Sequence, residues 1–255
     1  MRVIFLASGS SGNATLIESG GRAVLVDSGI SARETLRRIG LAGAHDVRIE
    51  ALLLTHEHID HVRGTRVLAR RLNVPVIATR GTLHAATACL NDVPETIAIS
   101  HSERMSLAGM RVSAFATAHD AAEPVGYAFE SRQGRRAVIA TDTGIVTPST
   151  AEALAGAHVV GIESNHDLAM LDSGPYPPFL KRRIASDHGH LSNDAAAEAV
   201  GELAWSGLRH VFALHLSEQN NTPDAARAAL GRPLGLAPGV ALATVGRDGM
   251  AGCEV

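Results

Sequence analysis

The chain has 255 residues, 45% of them hydrophobic, 19% charged and 3% aromatic, with a formal net charge of −3. That length and apolar content suffice for one full-sized core. No stretch is long and apolar enough to cross a membrane, and so few aromatic residues argue against extensive base stacking as a mode of holding nucleic acid.

The apolar start at residues 3–7 is too short for a secretory signal and stops at the polar residues 8–11. Residues 15–18 are a second apolar run, and Ser19-Gly20-Gly21 signals a hairpin into a strand over 23–26. Ser31, with Glu34 following, makes a capping box that opens a helix to about residue 39. A buried strand over 51–54 runs into His56, followed by a helix over 64–72 and a short strand over 74–78. The second half repeats the scheme. A strand over 111–118 ends at His119, 125–130 and 137–140 read as a hairpin pair ending at Asp142, and 149–155 is helical. A strand over 159–162 ends at Glu163, and Ser192 caps an Ala-rich helix to about Trp205. A strand over 211–214 ends at His215, Pro223 opens a last helix and 240–244 makes a last strand.

No Pro/Ser-rich or highly charged linker interrupts these elements, so residues 1–255 read as a single domain. Two strand-rich halves with flanking helices predict two sheets face to face with helices outside. Asp27, His56, His119, Asp142, Glu163 and His215 each follow a predicted strand, where rigid backbone can bring them together on one sheet edge. Cys89 and Cys253 make neither a disulfide framework nor a CxxC site, so a reducing cytoplasm is the expected compartment.

His56-Glu57-His58-Ile59-Asp60-His61 is the sharpest motif. Three imidazoles and Asp60 so close together are costly to bury unpaired. Alternation predicts His56, His58 and Asp60 on one side of an extended turn, with His61 beginning the next element. Imidazole nitrogen and carboxylate oxygen suit a first-row divalent ion. A solvated His-rich loop is the plainer reading, but an apolar strand precedes the motif and a helix follows it. His119, Asp142 and His215 are further candidate ligands. Singly, each reads as a structural residue after a strand; together they complete two coordination spheres.

Val26-Asp27-Ser28-Gly29, the motif at 56–61, His119, Asp142 and His215 resemble the ordered motifs of the metallo-β-lactamase superfamily over nearly the whole chain. The resemblance implies an α/β, four-layer αββα sandwich with its site on one edge. It implies one divalent ion on His56, His58 and His119, a second on Asp60, His61 and His215, Asp142 bridging them, and Asp27 orienting a ligand. β-Lactamases proper usually lack a histidine at the position of His61, so its presence points to the dinuclear hydrolases. The expected ions are Zn or Mn, with Fe a further candidate; their charge offsets the acidic chain where a phosphate would sit.

Gly189-His190-Leu191-Ser192 and the helix after it resemble a segment of the ribonuclease Z enzymes, with Glu163 like their histidine-partnering glutamate. The implied role of His190 is to protonate a leaving oxygen; the plainer reading is a histidine that merely precedes a helix cap. Ser8-Gly9-Ser10-Ser11-Gly12-Asn13, Glu163-Ser164-Asn165-His166-Asp167, Gly174-Pro175-Tyr176-Pro177 and Leu216-Ser217-Glu218-Gln219-Asn220-Asn221 resemble the YycJ/WalJ family, bacterial cytoplasmic 5′-exonucleases acting on DNA. Ser10, Asn13, Asn165, His166, Ser192 and Asn221 are therefore candidate substrate contacts, though in isolation they are ordinary loop polars. Arg182 and Arg183 are candidate phosphate ligands, as are Arg63 and Arg66, whereas Arg70 and Arg71 read as a solvated helix face.

The expected function is a dinuclear metal-dependent phosphodiesterase, a 5′-exonuclease on DNA rather than RNA, with Asp60 orienting the nucleophile. The alternatives are a small-molecule cyclic-phosphate phosphodiesterase, a glyoxalase II-like thioesterase, which needs no His190 because thiolate leaves unprotonated, and a metal-stabilised binding protein. The last fits poorly, since structural zinc sites are normally closed.

Overall fold

The computed structural model describes residues 1–203, 207–235, 239–246 and 249–255. The apolar runs of the first half pair as β1 (Arg2–Ala7), β2 (Ala14–Ser19), β3 (Arg22–Val26), β4 (Arg48–Leu53), β5 (Val76–Ala78) and β6 (Thr96–Ala98). The second half supplies β7 (Arg104–Leu107), β8 (Met110–Ala116), β9 (Val125–Glu130), β10 (Arg136–Ala140), β11 (Val159–Glu163), β12 (His210–Leu214) and β13 (Ala241–Thr244). A last strand, β14 (Ala251–Glu254), returns to pair antiparallel with β1. Two seven-stranded sheets result, in the orders β14-β1-β2-β3-β4-β5-β6 and β13-β12-β11-β10-β9-β8-β7.

Each sheet is mixed in the same way. Hairpin-linked strands are antiparallel, from β1 to β3 and from β7 to β10. The rest, β3 to β6 and β10 to β13, run parallel. The β2–β3 turn shows the local cause: Gly20 and Gly21 take φ of 62° and 78°, the left-handed pair that a two-residue hairpin requires. Helices fill the remaining connections: α1 (Ala32–Leu41), α2 (Ile59–Val62), α3 (Thr65–Leu72), α4 (Arg80–Ala85), α5 (Pro148–Leu154), α6 (Leu168–Ser173), α7 (Pro178–Ile184), α8 (Asn193–Glu202) and α9 (Pro223–Leu234).

Strand alternation sorts the apolar side chains into three cores. Val3, Phe5, Val24 and Leu53 meet Val112, Tyr127, Phe129 and Phe212 between the sheets, where the Phe5 and Phe212 rings lie 4.7 Å apart. Ile4, Leu6, Leu25 and Leu52, on the other face of the first sheet, pack with Ile39 of α1 and Leu68 of α3. Val138, Val160 and Val211 of the second sheet pack with Leu154, Val200 and Leu230 of α5, α8 and α9. The four layers are the αββα arrangement expected. No helix among the described residues is long and apolar enough to cross a membrane.

Several local expectations differ from the structure. Ser31 Oγ accepts from Glu34 N, but the Glu34 carboxylate turns to Arg37 and Arg38, so only half of the capping box forms. Arg38 is the cause: it is buried to reach Leu6 O and draws the carboxylate with it. A helical turn begins at Ile59, with His61 N and Val62 N bonding His58 O, so Asp60 and His61 both belong to α2 rather than to an extended turn and its successor. The strand expected over 111–118 stops at Ala116, leaving Thr117 and Ala118 to deliver His119 from a loop. Trp205 lies outside the described residues.

Candidate metal centre

The candidate ligands sit where strands end. Asp27 follows β3, His56 and His119 stand a short loop beyond β4 and β8, Asp142 lies just past β10, and His215 follows β12. Asp27, Asp142 and His215 adopt φ of 60°, 55° and 54°. Such left-handed conformations in non-glycine residues cost about 1–3 kcal/mol each and persist only where surrounding structure holds them. The holding bonds are visible: Asp27 N donates to Leu53 O, and His215 N donates to Ser8 Oγ at 2.7 Å. Backbone also approaches backbone here. A Cβ on Gly29 would stand 1.5 Å from Asp60 O, so only glycine fits.

Four overlapping groups have ligand atoms within 4.8 Å of one another: His56, His58 and His119; Asp60, His61 and His215; His56, His61 and Asp142; and Asp142, Glu163, His190 and His215. The far nitrogens are already committed. His61 Nδ1 bonds Asp27 Oδ2 at 2.8 Å, His119 Nδ1 bonds Gly189 O at 2.9 Å, and His56 Nδ1 lies 3.0 Å from Thr55 Oγ1. Thr55 donates its N–H and its hydroxyl to Asp27, both at 2.9 Å, so one carboxylate steadies two rings. This is how outer partners fix the tautomer of a metal-binding imidazole.

The fit to cations rests on two buried atoms. Among the described residues, His56 Nε2 and Asp142 Oδ2 have no hydrogen-bond partner, although the residues are 1% and 2% exposed; Asp142 Oδ2 lies 3.3 Å from His61 Nε2. Burying unpaired polar atoms is costly, and a divalent ion bound by both would remove the cost. Burial, then the neighbouring His61, holds His56 well below the ordinary imidazole value, which keeps it in the neutral form that ligates. Burial opposes charge on Asp60, yet hydrogen bonds from His215 and His61 hold its carboxyl far below the usual carboxylate range.

Beside these groups, His190 Nδ1 meets Glu163 Oε1 at 2.7 Å, and Glu163 Oε2 accepts from Thr143 N at 2.8 Å. Burial opposes ionisation of Glu163, but His190 brings it down to about 2. Burial likewise opposes charge on His190, and Glu163 more than offsets it, so the imidazole lies above its ordinary value. His190 lines a cavity of about 190 Å³ with Ser10, Asp120, Asn165, Tyr176 and Arg183.

The remaining candidates divide. Ser10, Asn165 and Arg183 line that cavity, whereas Arg182 is exposed on α7 and is not part of its wall. Asn13 donates to Gly9 O and lies 3.0 Å from His61 Nε2, tying the first loop to α2. His166 is 1% exposed and pairs by backbone with Ser192, whose hydroxyl caps α8. Asn221 donates to Ser164 O and Asn165 O. Asn13, His166, Ser192 and Asn221 are thus engaged in holding loops together. Asp120 escaped the sequence reading: it accepts from Arg183 Nε at 2.6 Å across the cavity, and its only signal was its place next to His119.

The β-lactamase superfamily domain matches residues 22–215. The metallo-β-lactamase fold protein YhfI from Bacillus subtilis superposes with a TM-score of 0.74 over 99% of each chain, at 14% identity, a likeness of fold alone. The chain therefore belongs to the β-lactamase superfamily, as a metal-dependent hydrolase of the metallo-β-lactamase fold. It is 36% identical to the exodeoxyribonuclease YycJ of Bacillus anthracis over 90% of this chain and 87% of that one. It is 33% identical to the exodeoxyribonuclease WalJ of Streptococcus pneumoniae over 87% and 83% respectively. Within the superfamily it is a homologue of these exodeoxyribonucleases.

Proposed function

We propose that the chain is a dinuclear phosphodiesterase that removes nucleotides from the 5′ end of DNA. The observation that carries this is the His190–Glu163 pair at 2.7 Å, set beside Asp142 and His215 and facing the cavity. An alkoxide is a poor leaving group, so hydrolysis of a phosphodiester benefits from a positioned proton donor, whereas thioester hydrolysis does not. Two ions, Zn or Mn with Fe a further candidate, held by His56, His58 and His119 and by Asp60, His61 and His215 with Asp142 between, would polarise the phosphoryl group and make water nucleophilic near neutral pH.

The chain supplies the rest. Glu163 takes the Nδ1 proton of His190 as a hydrogen bond and so sets the ring to give its other proton to the departing oxygen. Asp60, ionised and partly open to solvent, is placed to accept a hydrogen bond from the attacking water. Arg183, Ser10 and Asn165 offer the phosphate its polar contacts. The names of the relatives support DNA as substrate, and two free cysteines fit a reducing cytoplasm.

The test is incubation of the metal-loaded protein with end-labelled single- and double-stranded DNA and RNA, resolving products by length. Stepwise release from a 5′ end is expected, with a 5′-phosphate preferred and activity falling as salt rises. Hydrolysis of S-lactoylglutathione without action on any oligonucleotide would transfer the case to a thioesterase, and action on cyclic nucleotides alone to a small-molecule phosphodiesterase.

A further inference from the structure

Alternate residues of β7 to β10 face away from the central core. Met110, Val112, Tyr127, Phe129 and Ala137 point inward, which turns Arg104, Arg111, Ser113, Ala128 and Arg136 to the outer face. Register sets them side by side: Ser113 stands opposite Arg104 and Ala128, and Glu130 opposite Arg111 and Arg136. Beside α5, whose Ser149, Glu152 and Ala153 form one wall, the small Ser113 and Ala128 leave a trough. It consists of two adjoining cavities of about 300 and 160 Å³ that share Arg104, Ser113, Ala128 and Arg136.

In its lining three arginines, Arg104, Arg111 and Arg136, outnumber two glutamates, within an acidic chain. Arg111 pairs with Glu130. Arg136 Nη2 donates to Ala153 O, while its buried Nε has no hydrogen-bond partner among the described residues. Arg104 is exposed and has no acidic partner among the described residues. The same holds for Arg132 and Arg135, in the turn between β9 and β10. Glu130 and Glu152 are the acidic residues of the lining. The metal centre lies beyond one end: Phe115 and Ala116 line the near end of the trough, Arg104 stands opposite Ser113 roughly 10 Å back along β8 at about 3.3 Å per residue, and His119 follows Ala116.

We propose that this trough is a second nucleic-acid site, holding the phosphodiester backbone of the substrate strand several nucleotides away from the bond being cut. The proposal rests on the nuclease reading and adds where the rest of the strand goes. Guanidinium forks match phosphate oxygens, and the small floor lets a backbone come close. Contacts confined to phosphates carry no sequence preference. At about 3.4 Å per stacked nucleotide, the roughly 10 Å of β8 between Ala116 and the level of Arg104 adds about three nucleotides to the path from the metal centre, so the shortest substrates do not reach Arg104.

The experiment compares Arg104→Glu, and Arg132→Ala with Arg135→Ala, against the unaltered protein. Steady-state kinetics on a 5′-phosphorylated trinucleotide and on a single strand of about thirty nucleotides, at several salt concentrations, are expected to separate. Arg104→Glu should raise KM for the long strand by about tenfold and lower the salt-dependence slope by about one, with kcat and the trinucleotide kinetics little changed. An unchanged KM for the long strand overturns the proposal, as do equal losses on both lengths. A parent protein that cuts no oligonucleotide overturns the nuclease reading instead. Fluorescence anisotropy of the labelled long strand then still decides the trough: weaker binding by Arg104→Glu supports it, and equal binding overturns it.

Discussion

The His190 ring has two nitrogens, and Nδ1 alone is bonded by the described residues. That asymmetry fits a proton donor better than a structural histidine, which would spend both nitrogens on the fold. General acid–base catalysis contributes about 10²–10⁴-fold, so His190→Ala should lower kcat on DNA by about that factor while both metals stay bound. The same variant should lose far less on bis(p-nitrophenyl) phosphate, whose phenolate leaves without a proton, and Glu163→Gln should show a milder form of the pattern. Equal losses on both substrates with metal content intact would give His190 a positioning role. Of the candidate ligands, His56, His58, Asp60 and His61 announce themselves through local spacing, whereas His119, Asp142 and His215 are legible only together and through the family resemblance. Asn13 and Asn221 do not, because an asparagine in a polar loop reads the same whether its partner is solvent, substrate or a carbonyl far along the chain.

At the scale of elements, the elements readable in advance are those with strong period or turn chemistry: the Gly20-Gly21 hairpin, the β9–β10 hairpin, and helices opened by Ser31, Ser192 and Pro223. The short α4, α6 and α7 and the edge strands β6, β7 and β14 are too brief to show a period, and their existence depends on neighbours. In α1 the electrostatics yield a pH signature. Hydrogen bonds from Arg37 and then Arg38 bring Glu34 from 4.5 down to about 2. A depressed carboxylate stabilises the fold above its unfolded value, and the contribution is lost as pH falls toward the folded one. Glu34→Gln should therefore cost about 1 kcal/mol near neutrality, modest because the pair borders solvent. In urea melts the difference from the parent should shrink between about pH 4.5 and pH 2 and vanish below. A difference constant across that window would mean that the ionised pair is not its source.

For the whole molecule, the centre is a joint between sheets, with Asp27 and His56 carried by the first and His119, Asp142 and His215 by the second. Ions bound there would tie the two halves together, and folding should respond accordingly. Metal at about a thousandfold above its Kd stabilises by about 4 kcal/mol, which for a chain of this size is a rise in Tm of about 10 °C. Chelator-treated and reloaded protein, compared by thermal scan with elemental analysis beside it, should show that rise and a content approaching about two ions per chain. Binding of one ion with no change in Tm would remove the dinuclear reading.

The sequence by itself determined what short-range chemistry encodes: strand alternation, the hairpin glycines, the helix caps and the His-x-His-x-Asp-His cluster, each legible because its partners lie within a few residues. Only the tertiary structure decided which strands are neighbours and in what register. It thereby turned His166 and Asn221 inward, set Asp120 against Arg183, closed the first sheet with β14 and gathered Arg104, Arg111 and Arg136 on one face. The physical reason is distance along the chain. Whether a polar side chain is satisfied, or a charge has company, depends on groups many residues away, and no local pattern specifies which of them folding brings alongside.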